Sequence, residues 1–368
     1  MHHRVASATV CVLTALELAA CSQDAPTALG AGGGPGFTCS IPESLILSGG
    51  PGKDGIPALT QPELVGPAEP GTEYLRDLDR VIGLDLEGVQ IAVPLNILWW
   101  HEIVNLRLDT LGLAVTHCPL TGSSLVFDRG PVGDPEFGVS GLLYLNNLIM
   151  YDRSTGESLW PQMARGARCG PRRGTDLTML PAIEMTWAGW HALHPNTRVV
   201  SSATGHSRNY RLYPYGRYAE PGNAELLFPI PGGIDSRRPP KERVLGIPMP
   251  GAGLALPFGE LRDAGAFAGG LAAVDAVLLD GRAVVVFWDA AAEAAMAYEV
   301  VVDGERLSFH VDGGRILDEE TGSVWRVDGQ ATEGPLRSQR LRPVAEAYVA
   351  YWFAWQAFHP DTELWESS

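Results

Sequence analysis

One cysteine of the chain lies in a setting that predicts redox chemistry. Cys118 ends an apolar run and begins the sequence Cys-Pro-Leu-Thr-Gly, in which Pro119 and Gly122 favour a tight turn. The first and fourth residues of such a turn approach within ~7 Å, the Cα separation that a Cys-x-x-Cys disulfide needs. Turn amides directed at the sulfur would also favour the thiolate. Because position 121 is Thr121, which cannot form that disulfide, the turn predicts either a single-thiol site or a buried structural cysteine.

The neighbours of Cys118 offer a second interpretation, a copper or zinc site. His101, His117, Cys118 and Cys169 carry suitable donor atoms. His117 and Cys118 are adjacent on a predicted strand, so their side chains point to opposite faces. His101 with Cys118 is then the best remaining pair, two ligands short of a closed site. In the redox interpretation, His101, His117 and Thr121 are the catalytic neighbours that tune the sulfur.

The remaining cysteines extend the redox hypothesis. Cys39, Cys118 and Cys169 remain once Cys11, which lies in a predicted signal peptide, and Cys21, which is predicted to be lipidated, are set aside. In an oxidising compartment, one bridge and one free thiol is the simplest outcome for three cysteines. Cys118–Cys169 is a candidate disulfide, although the sequence favours no pairing over the others.

The amino terminus predicts export. A weakly basic start, Met1–Arg4, precedes an apolar run of about twelve residues, which fits a signal peptide and is shorter than the ~20 that a membrane span needs. The run ends in Leu-Ala-Ala-Cys, the pattern of a bacterial lipoprotein signal, which predicts cleavage after residue 20 and lipidation of Cys21. An ordinary secretory signal is the alternative. Residues 21–40 are rich in Gly, Ala and Pro and predict a flexible tether.

Composition bounds the classes of function. The chain has 368 residues, of which 45% are hydrophobic, and a formal net charge of −16. This length suggests roughly two domains of ~150 residues. The acidic balance disfavours nucleic acid, because phosphate binding needs clustered Lys and Arg.

The chain contains one pattern twice. Val81-Ile-Gly-Leu recurs as Val244-Leu-Gly-Ile, and Trp187-Ala-Gly-Trp recurs as Trp352-Phe-Ala-Trp, each roughly 165 residues later. We therefore predict an internally duplicated, β-rich α+β fold with short helices. The predicted segments are an extension at 41–74, a first repeat at 75–205, a connector rich in Tyr, Pro and Arg at 206–240, and a second, degenerate repeat at 241–368. The Cys118 motif occurs in the first repeat alone, so any chemistry is expected there.

Periodicity and breakers predict the local elements. They indicate a hairpin about Gly88, a helix at Leu98–Val104, strands at Leu113–His117 and Ser123–Phe127, and helices at Ile183–Leu193 and Ala347–Phe358.

Several motifs together resemble a known bacterial family. They are Trp100-His-Glu-Ile-Val-Asn, Ala114-Val-Thr-His-Cys-Pro-Leu-Thr-Gly, Phe137-Gly-Val-Ser-Gly-Leu-Leu-Tyr and Met150-Tyr-Asp-Arg. Over roughly residues 75–260 the chain resembles the family called domain of unknown function 3179, some members of which are (seleno)proteins. Many members resemble Cys-Pro-Leu-Cys-Gly at the motif, which implies thiol or selenol redox chemistry. Cys118 matches that motif, whereas Thr121 departs from it and removes the second thiol.

The leading hypothesis is an exported lipoprotein with a single-thiol redox site at Cys118. A non-enzymatic ligand-binding or scaffold lipoprotein of the cell envelope, with the Tyr210–Tyr218 segment lining a groove, is the alternative. A copper- or zinc-handling protein is the third. The expected partners are the membrane, through the lipid anchor only, and a small molecule or envelope protein; the sequence identifies no cofactor.

Overall fold

The computed structural model of the chain describes residues 37–86, 88–154, 156–278 and 280–367. The predicted signal peptide at 1–20, the lipidation site Cys21 and most of the predicted tether at 21–40 lie outside the described residues.

The first half of the chain is mainly β-structure. Its regular elements, in chain order, are β1 Ile46–Ser48, β2 Leu59–Thr60, β3 Leu64–Val65, β4 Arg80–Leu86, β5 Val89–Pro94, α1 Leu95–His101, β6 Ile103–Leu108, β7 Leu111–Cys118, β8 Ser123–Asp128, β9 Phe137–Tyr144, β10 Asn147–Asp152, β11 Leu159–Pro161, β12 Thr178–Met179, β13 Ile183–Thr186, α2 Trp187–Leu193 and β14 Arg198–Val200.

The second half is also mainly β-structure. Its elements are β15 Arg243–Met249, β16 Ala252–Pro257, α3 Phe258–Gly265, β17 Leu271–Val277, β18 Ala283–Asp289, β19 Ala294–Glu299, β20 Val301–Val302, β21 Glu305–Arg306, β22 Phe309–Asp312, β23 Arg315–Asp318, β24 Val324–Trp325, β25 Ala331–Glu333, β26 Tyr348–Tyr351, α4 Trp352–Phe358 and β27 Thr362–Leu364.

These strands form seven sheets within the described residues. The first half has the sheets β13-β4-β5-β14-β3, β12-β8-β7-β6-β2 and β1-β9-β10-β11. The second half has β26-β15-β16-β27, β17-β18-β19, β20-β21 and β22-β23-β24-β25. The β-rich α+β class predicted from the sequence is therefore confirmed. The described α-helices have seven or eight residues, and no described helix is long and apolar enough to cross a membrane.

A hairpin begins the main sheet of each half. β4 and β5 pair antiparallel around Gly88, whose φ of +90° is a conformation that glycine adopts easily, and this confirms the predicted hairpin. β13 pairs antiparallel with β4, and β14 runs parallel to β5. In the second half, β26 and β27 hold the same places beside β15 and β16.

Three helix predictions have wrong boundaries. The helix expected at Leu98–Val104 is α1, which begins directly after Pro94 and ends before Glu102, and residues 103 and 104 belong to β6. The helix expected at Ile183–Leu193 is divided into a strand and α2. Thr186 caps the start of α2, because its side chain accepts a hydrogen bond from the amide of Gly189. The helix expected at Ala347–Phe358 is divided in the same way, into β26 and α4.

The two halves share their hydrophobic core. Cys118 and Phe127 of the first half lie in one buried cluster with Tyr351 and Trp352 of the second half. A second cluster joins Trp190 to strands β18 and β19. Burial of such large side chains stabilises each half through contact with the other.

The disulfide joins Cys39 to Cys169, so the expected Cys118–Cys169 pairing is wrong. Residues 38–40 run beside residues 168–170, where the amide of Gly170 bonds the carbonyl of Thr38 at 3.0 Å. This pairing brings the two sulfurs together. Cys118 lies in a different core cluster and is the one free thiol among the described cysteines.

Removing this disulfide is expected to lower the free energy of unfolding by about 5 kcal/mol, because the bridge closes a long loop in the unfolded chain. The sequence separation of 130 residues puts it at the large end of such loops. Urea unfolding of the Cys39→Ala/Cys169→Ala variant measures the loss. Dithiothreitol is expected to cause the same loss in the wild type and none in the double variant. An unchanged wild-type midpoint under reduction would contradict the prediction.

Candidate functional site

Strand β7 presents its last two side chains to different environments. Cys118 packs into the core cluster that contains Phe127 and Trp352. His117 instead lines a cavity. The prediction that these adjacent residues face opposite sides of the strand is therefore confirmed, and a metal ion cannot be shared between them.

The cavity lies where the two halves meet and has a volume of about 270 Å³. Its apolar part includes Leu95 and Trp99, and the exposed Leu78 lies at its edge. Polar side chains from five separate strands and from the connector complete the wall: Arg80 of β4, His117 of β7, Glu184 of β13, Tyr213 of the connector, Arg243 of β15 and Tyr351 of β26.

A relay of hydrogen bonds orients His117. The Ser124 hydroxyl donates to Oε2 of Glu184 at 2.5 Å, and Nδ1 of His117 lies 3.0 Å from the same serine oxygen. Because a carboxylate only accepts, the serine proton points to Glu184, and Nδ1 of His117 must donate. The lone pair of the imidazole is then on Nε2, which receives no hydrogen bond from any described residue.

Burial sets the charge states of this relay. Burial lowers the pKa of His117 to about 4, so the imidazole is neutral at pH 7 and offers its lone pair. Burial alone would raise the pKa of Glu184, but Arg80 and Arg243 outweigh it and hold that pKa below the usual value. The relay therefore consists of a carboxylate, a hydroxyl and a neutral imidazole.

The two arginines of the cavity differ in their pairing. Arg80 is buried; its Nε donates to Oε1 of Glu184 at 2.6 Å, and Nη1 donates to Glu293 at 3.1 Å. The side chain of Arg243 is 29% exposed, and its Nε approaches the same Glu184 oxygen only to 3.6 Å. The guanidinium of Arg80 is thus paired with protein carboxylates, whereas the guanidinium of Arg243 has donors left for a ligand.

Two tyrosines complete the polar wall. The hydroxyl of Tyr213 is buried and has no hydrogen-bond partner among the described residues. The ring of Tyr351 lies against Gly122, where a Cβ would come within 2.5 Å of it. Gly122 has a φ of +57°, so both its conformation and this contact require glycine. The glycine of the Cys118 turn therefore shapes the cavity rather than the environment of the thiol.

Cys118 itself is buried and protonated. Its thiol lies 3.7 Å from the carbonyl of Asn146. Burial, and then the nearby Glu102, raise the pKa of the thiol to about 11, although hydrogen bonds from Thr121 partly counter them. A thiol in this state is a poor nucleophile at neutral pH, because the thiolate is the reactive form.

The other two predicted neighbours also have structural partners. His101 is buried, with Nδ1 2.7 Å from the carbonyl of Pro57 and Nε2 2.7 Å from the Tyr210 hydroxyl. The Thr121 hydroxyl lies 2.8 Å from that of Ser123 and accepts from the Asn147 amide at 3.1 Å. Both ring nitrogens of His101 thus pair with groups other than Cys118, and Thr121 belongs to a buried polar network.

Glu102, the residue directly after α1, has an unusual backbone conformation and a buried carboxyl group. Its backbone φ is +56°, which is uncommon for a residue with a side chain. The carboxyl is buried, and burial raises its pKa to about 8. Its charge influences the pKa of both Cys118 and Tyr215.

Metal binding finds no support in the described part of the chain. No group of three or more His, Cys, Asp or Glu residues is placed to hold an ion there. Of the expected donors, Cys169 is in the disulfide and both ring nitrogens of His101 are hydrogen-bonded.

Sequence reasoning missed most of the cavity. It identified His117 but not Arg80, Ser124, Glu184 or Arg243. One signal was present, since Glu184 is a carboxylate inside the short strand Ile-Glu-Met-Thr, where a buried charge needs a partner. Arg80 and Arg243 also hold equivalent places, directly before the repeated Val81 and Val244 patterns.

Fold and cavity together define a β-rich α+β protein with a polar, arginine-lined cavity between its two halves. The chain belongs to the family described as protein of unknown function (DUF3179), whose family model matches residues 53–362. The resemblance noted over roughly 75–260 is thus confirmed and extends further at both ends. No curated protein and no solved structure matches the chain.

Proposed function

We propose that this protein binds a small anionic ligand in the cavity between its halves. The observation that carries the proposal is Arg243, a cavity-lining guanidinium whose one ion pair among the described residues is the 3.6 Å contact with a carboxylate already held by Arg80. Tyr213 lines the same cavity, and its buried hydroxyl has no hydrogen-bond partner among the described residues. A guanidinium such as that of Arg243 forms strong, charge-assisted hydrogen bonds with carboxylate or phosphate oxygens.

Calorimetric titration with acetate, lactate and inorganic phosphate tests this function. At least one of these anions is expected to bind. The Arg243→Gln variant is expected to weaken that binding about tenfold or more, since a hydrogen bond to a charged group contributes about 1.5–3 kcal/mol. Arg262→Gln is the matched control, because Arg262 is more exposed and only approaches Glu293 at 3.8 Å. Equal affinities of the two variants, or no binding of any of these anions to the wild type, would overturn the proposal.

The redox function expected for Cys118 is the competing candidate. The family motif supports it, whereas burial and a thiol pKa of about 11 count against it. Alkylation by iodoacetamide at neutral pH distinguishes the two. Slow labelling of the folded protein, with fast labelling after denaturation, is the result expected for a structural thiol. Labelling of the folded protein at the denatured rate would favour the redox site.

The cellular setting is part of the same proposal. We infer from the amino-terminal sequence that the chain is exported, cleaved before Cys21, and attached to the cell envelope by lipid on that residue. The cavity would then face the periplasm or the outside, and the protein would contact the membrane through its anchor only. Mass spectrometry of the membrane fraction tests this, since an uncleaved or unacylated amino terminus would contradict it.

We further propose that the two halves arose by duplication. Trp190 donates to Thr197 at 2.9 Å, and Trp355 donates to Thr362 at 2.8 Å, in the same places relative to α2 and α4. Arg80 and Arg243 each begin the hairpin of their half. In this interpretation the cavity uses one arginine from each copy, and the first copy alone supplies Glu184 to pair with them.

A further inference from the structure

The unpaired groups of the cavity indicate what its ligand must offer. Every carboxylate in the wall already accepts hydrogen bonds from protein groups, and these carboxylates are Asp79, Glu184 and Glu293. The groups left without a hydrogen-bond partner among the described residues include two donors, the guanidinium of Arg243 and the hydroxyl of Tyr213, and one acceptor, Nε2 of His117. A ligand that satisfies all three must carry both accepting oxygens and a proton to donate.

The two donors are suited to a single oxyanion. Arg243 and Tyr213 both line the cavity, and the charge of Arg243 acts on the Tyr213 hydroxyl. A carboxylate has two oxygens that can accept from a guanidinium and from a hydroxyl at once.

The acceptor is suited to a hydroxyl group of the ligand. Nδ1 of His117 donates to Ser124, so the tautomer is fixed with the lone pair on Nε2. A neutral imidazole nitrogen accepts a hydrogen bond from an alcohol, whereas a second carboxylate would meet it without a proton to share. The His117 side chain is buried and lines the cavity.

The volume restricts the size of such a ligand. A cavity of about 270 Å³ corresponds to about nine water molecules at roughly 30 Å³ each. Leu95 and Trp99 add apolar surface for a short carbon chain. The space therefore suits an organic acid of a few carbon atoms.

We propose that the ligand is a small hydroxy acid, whose carboxylate binds Arg243 and Tyr213 and whose hydroxyl donates to Nε2 of His117. This inference rests on the proposed function and specifies its ligand class. It requires that affinity depend on the hydroxyl and not on the carboxylate alone.

Matched acids test the inference by calorimetric titration. Lactate differs from propionate by one hydroxyl, and glycolate differs from acetate in the same way. The wild type is expected to bind each hydroxy acid at least about tenfold more tightly than its partner, because a site built to pair a hydroxyl rejects the analogue that lacks it.

Two variants of His117 connect this preference to Nε2. His117→Asn keeps a donor near the position of Nδ1 for Ser124 and removes the acceptor in the cavity, whereas His117→Gln keeps an amide oxygen near the position of Nε2. The preference is expected to vanish in the Asn variant and to survive in part in the Gln variant. Thermal unfolding of each variant verifies that it folds.

The outcomes separate the inference from the function on which it rests. Equal binding of lactate and propionate, or binding of phosphate alone, would overturn the hydroxy-acid inference and leave the anion site standing. A preference for lactate that persists in His117→Asn would likewise overturn it, since the hydroxyl would then be bound elsewhere. Failure of every anion to bind would overturn both.

Discussion

Replacing Glu184 with glutamine is expected to lower the free energy of unfolding by about 3 kcal/mol or more, because it leaves a buried guanidinium without its counter-charge. Arg80 is 6% exposed and its Nε lies 2.6 Å from Glu184. The same carboxylate accepts from Ser124, so the substitution also disturbs the hydrogen bond that orients His117. Urea unfolding monitored by tryptophan fluorescence measures the change.

Glu293→Gln is the matched control for this experiment. Glu293 accepts from the same arginine at 3.1 Å, but its side chain is 41% exposed. Solvent-exposed ion pairs contribute about 0–1 kcal/mol, so the control is expected to lose less than about 1 kcal/mol. Similar losses in the two variants would show that burial of Glu184 does not decide the stability of the cavity wall.

Replacing Glu102 with glutamine is expected to stabilise the protein at alkaline pH and to change it much less at acidic pH. The folded-state pKa of about 8 lies above the ordinary value of 4.5, so the folded chain holds the proton longer than the unfolded chain. The stability of the wild type relative to the variant is therefore greatest below pH 4.5. It falls by about 1.4 kcal/mol per pH unit up to about pH 8 and then levels off.

Chemical unfolding of both proteins between pH 4.5 and 9 measures this difference. Burial lowers the pKa of His101, His117 and His359 to about 4, so these groups make both proteins more stable as the pH rises from 4 to 6.5. Their contribution cancels when the two proteins are compared. Glu305→Gln, which removes an exposed carboxylate of β21, is expected to keep the wild-type profile. A constant difference between wild type and Glu102→Gln across this range would contradict the prediction.

The local pattern of the chain was sufficient for the strands that carry the central residues. Alternating apolar residues and Gly88 predicted the first hairpin, and strand periodicity separated His117 from Cys118. The helices failed at their starts, because Ile183–Thr186 and Tyr348–Tyr351 fit helical spacing as well as strand spacing. Their pairing with β4 and β15, which is a tertiary contact, decides between the two.

The cavity could not be predicted from local sequence pattern, for a related reason. Arg80, Glu184 and Arg243 lie in three strands far apart in the chain and meet only after the sheets have formed. The sequence predicted a redox site at the Cys118 turn because its residue types carry redox chemistry. Its glycine instead makes room for Tyr351, and its threonine joins buried hydrogen bonds. The disulfide depended on the course of residues 38–40, which have no periodic signal.

Because His117 and Cys118 are adjacent in β7, the register of this strand decides which of the two side chains enters the cavity. In β7, His117 pairs with Ser124 and Cys118 pairs with Ser123 on β8. A slip of this register by one residue would reverse every side chain of the strand. It would direct a thiol at the arginines and bury an imidazole among aromatic rings. An insertion or deletion within β7 would therefore replace the imidazole of the cavity wall with a thiol and leave the wall residues of the other strands unchanged.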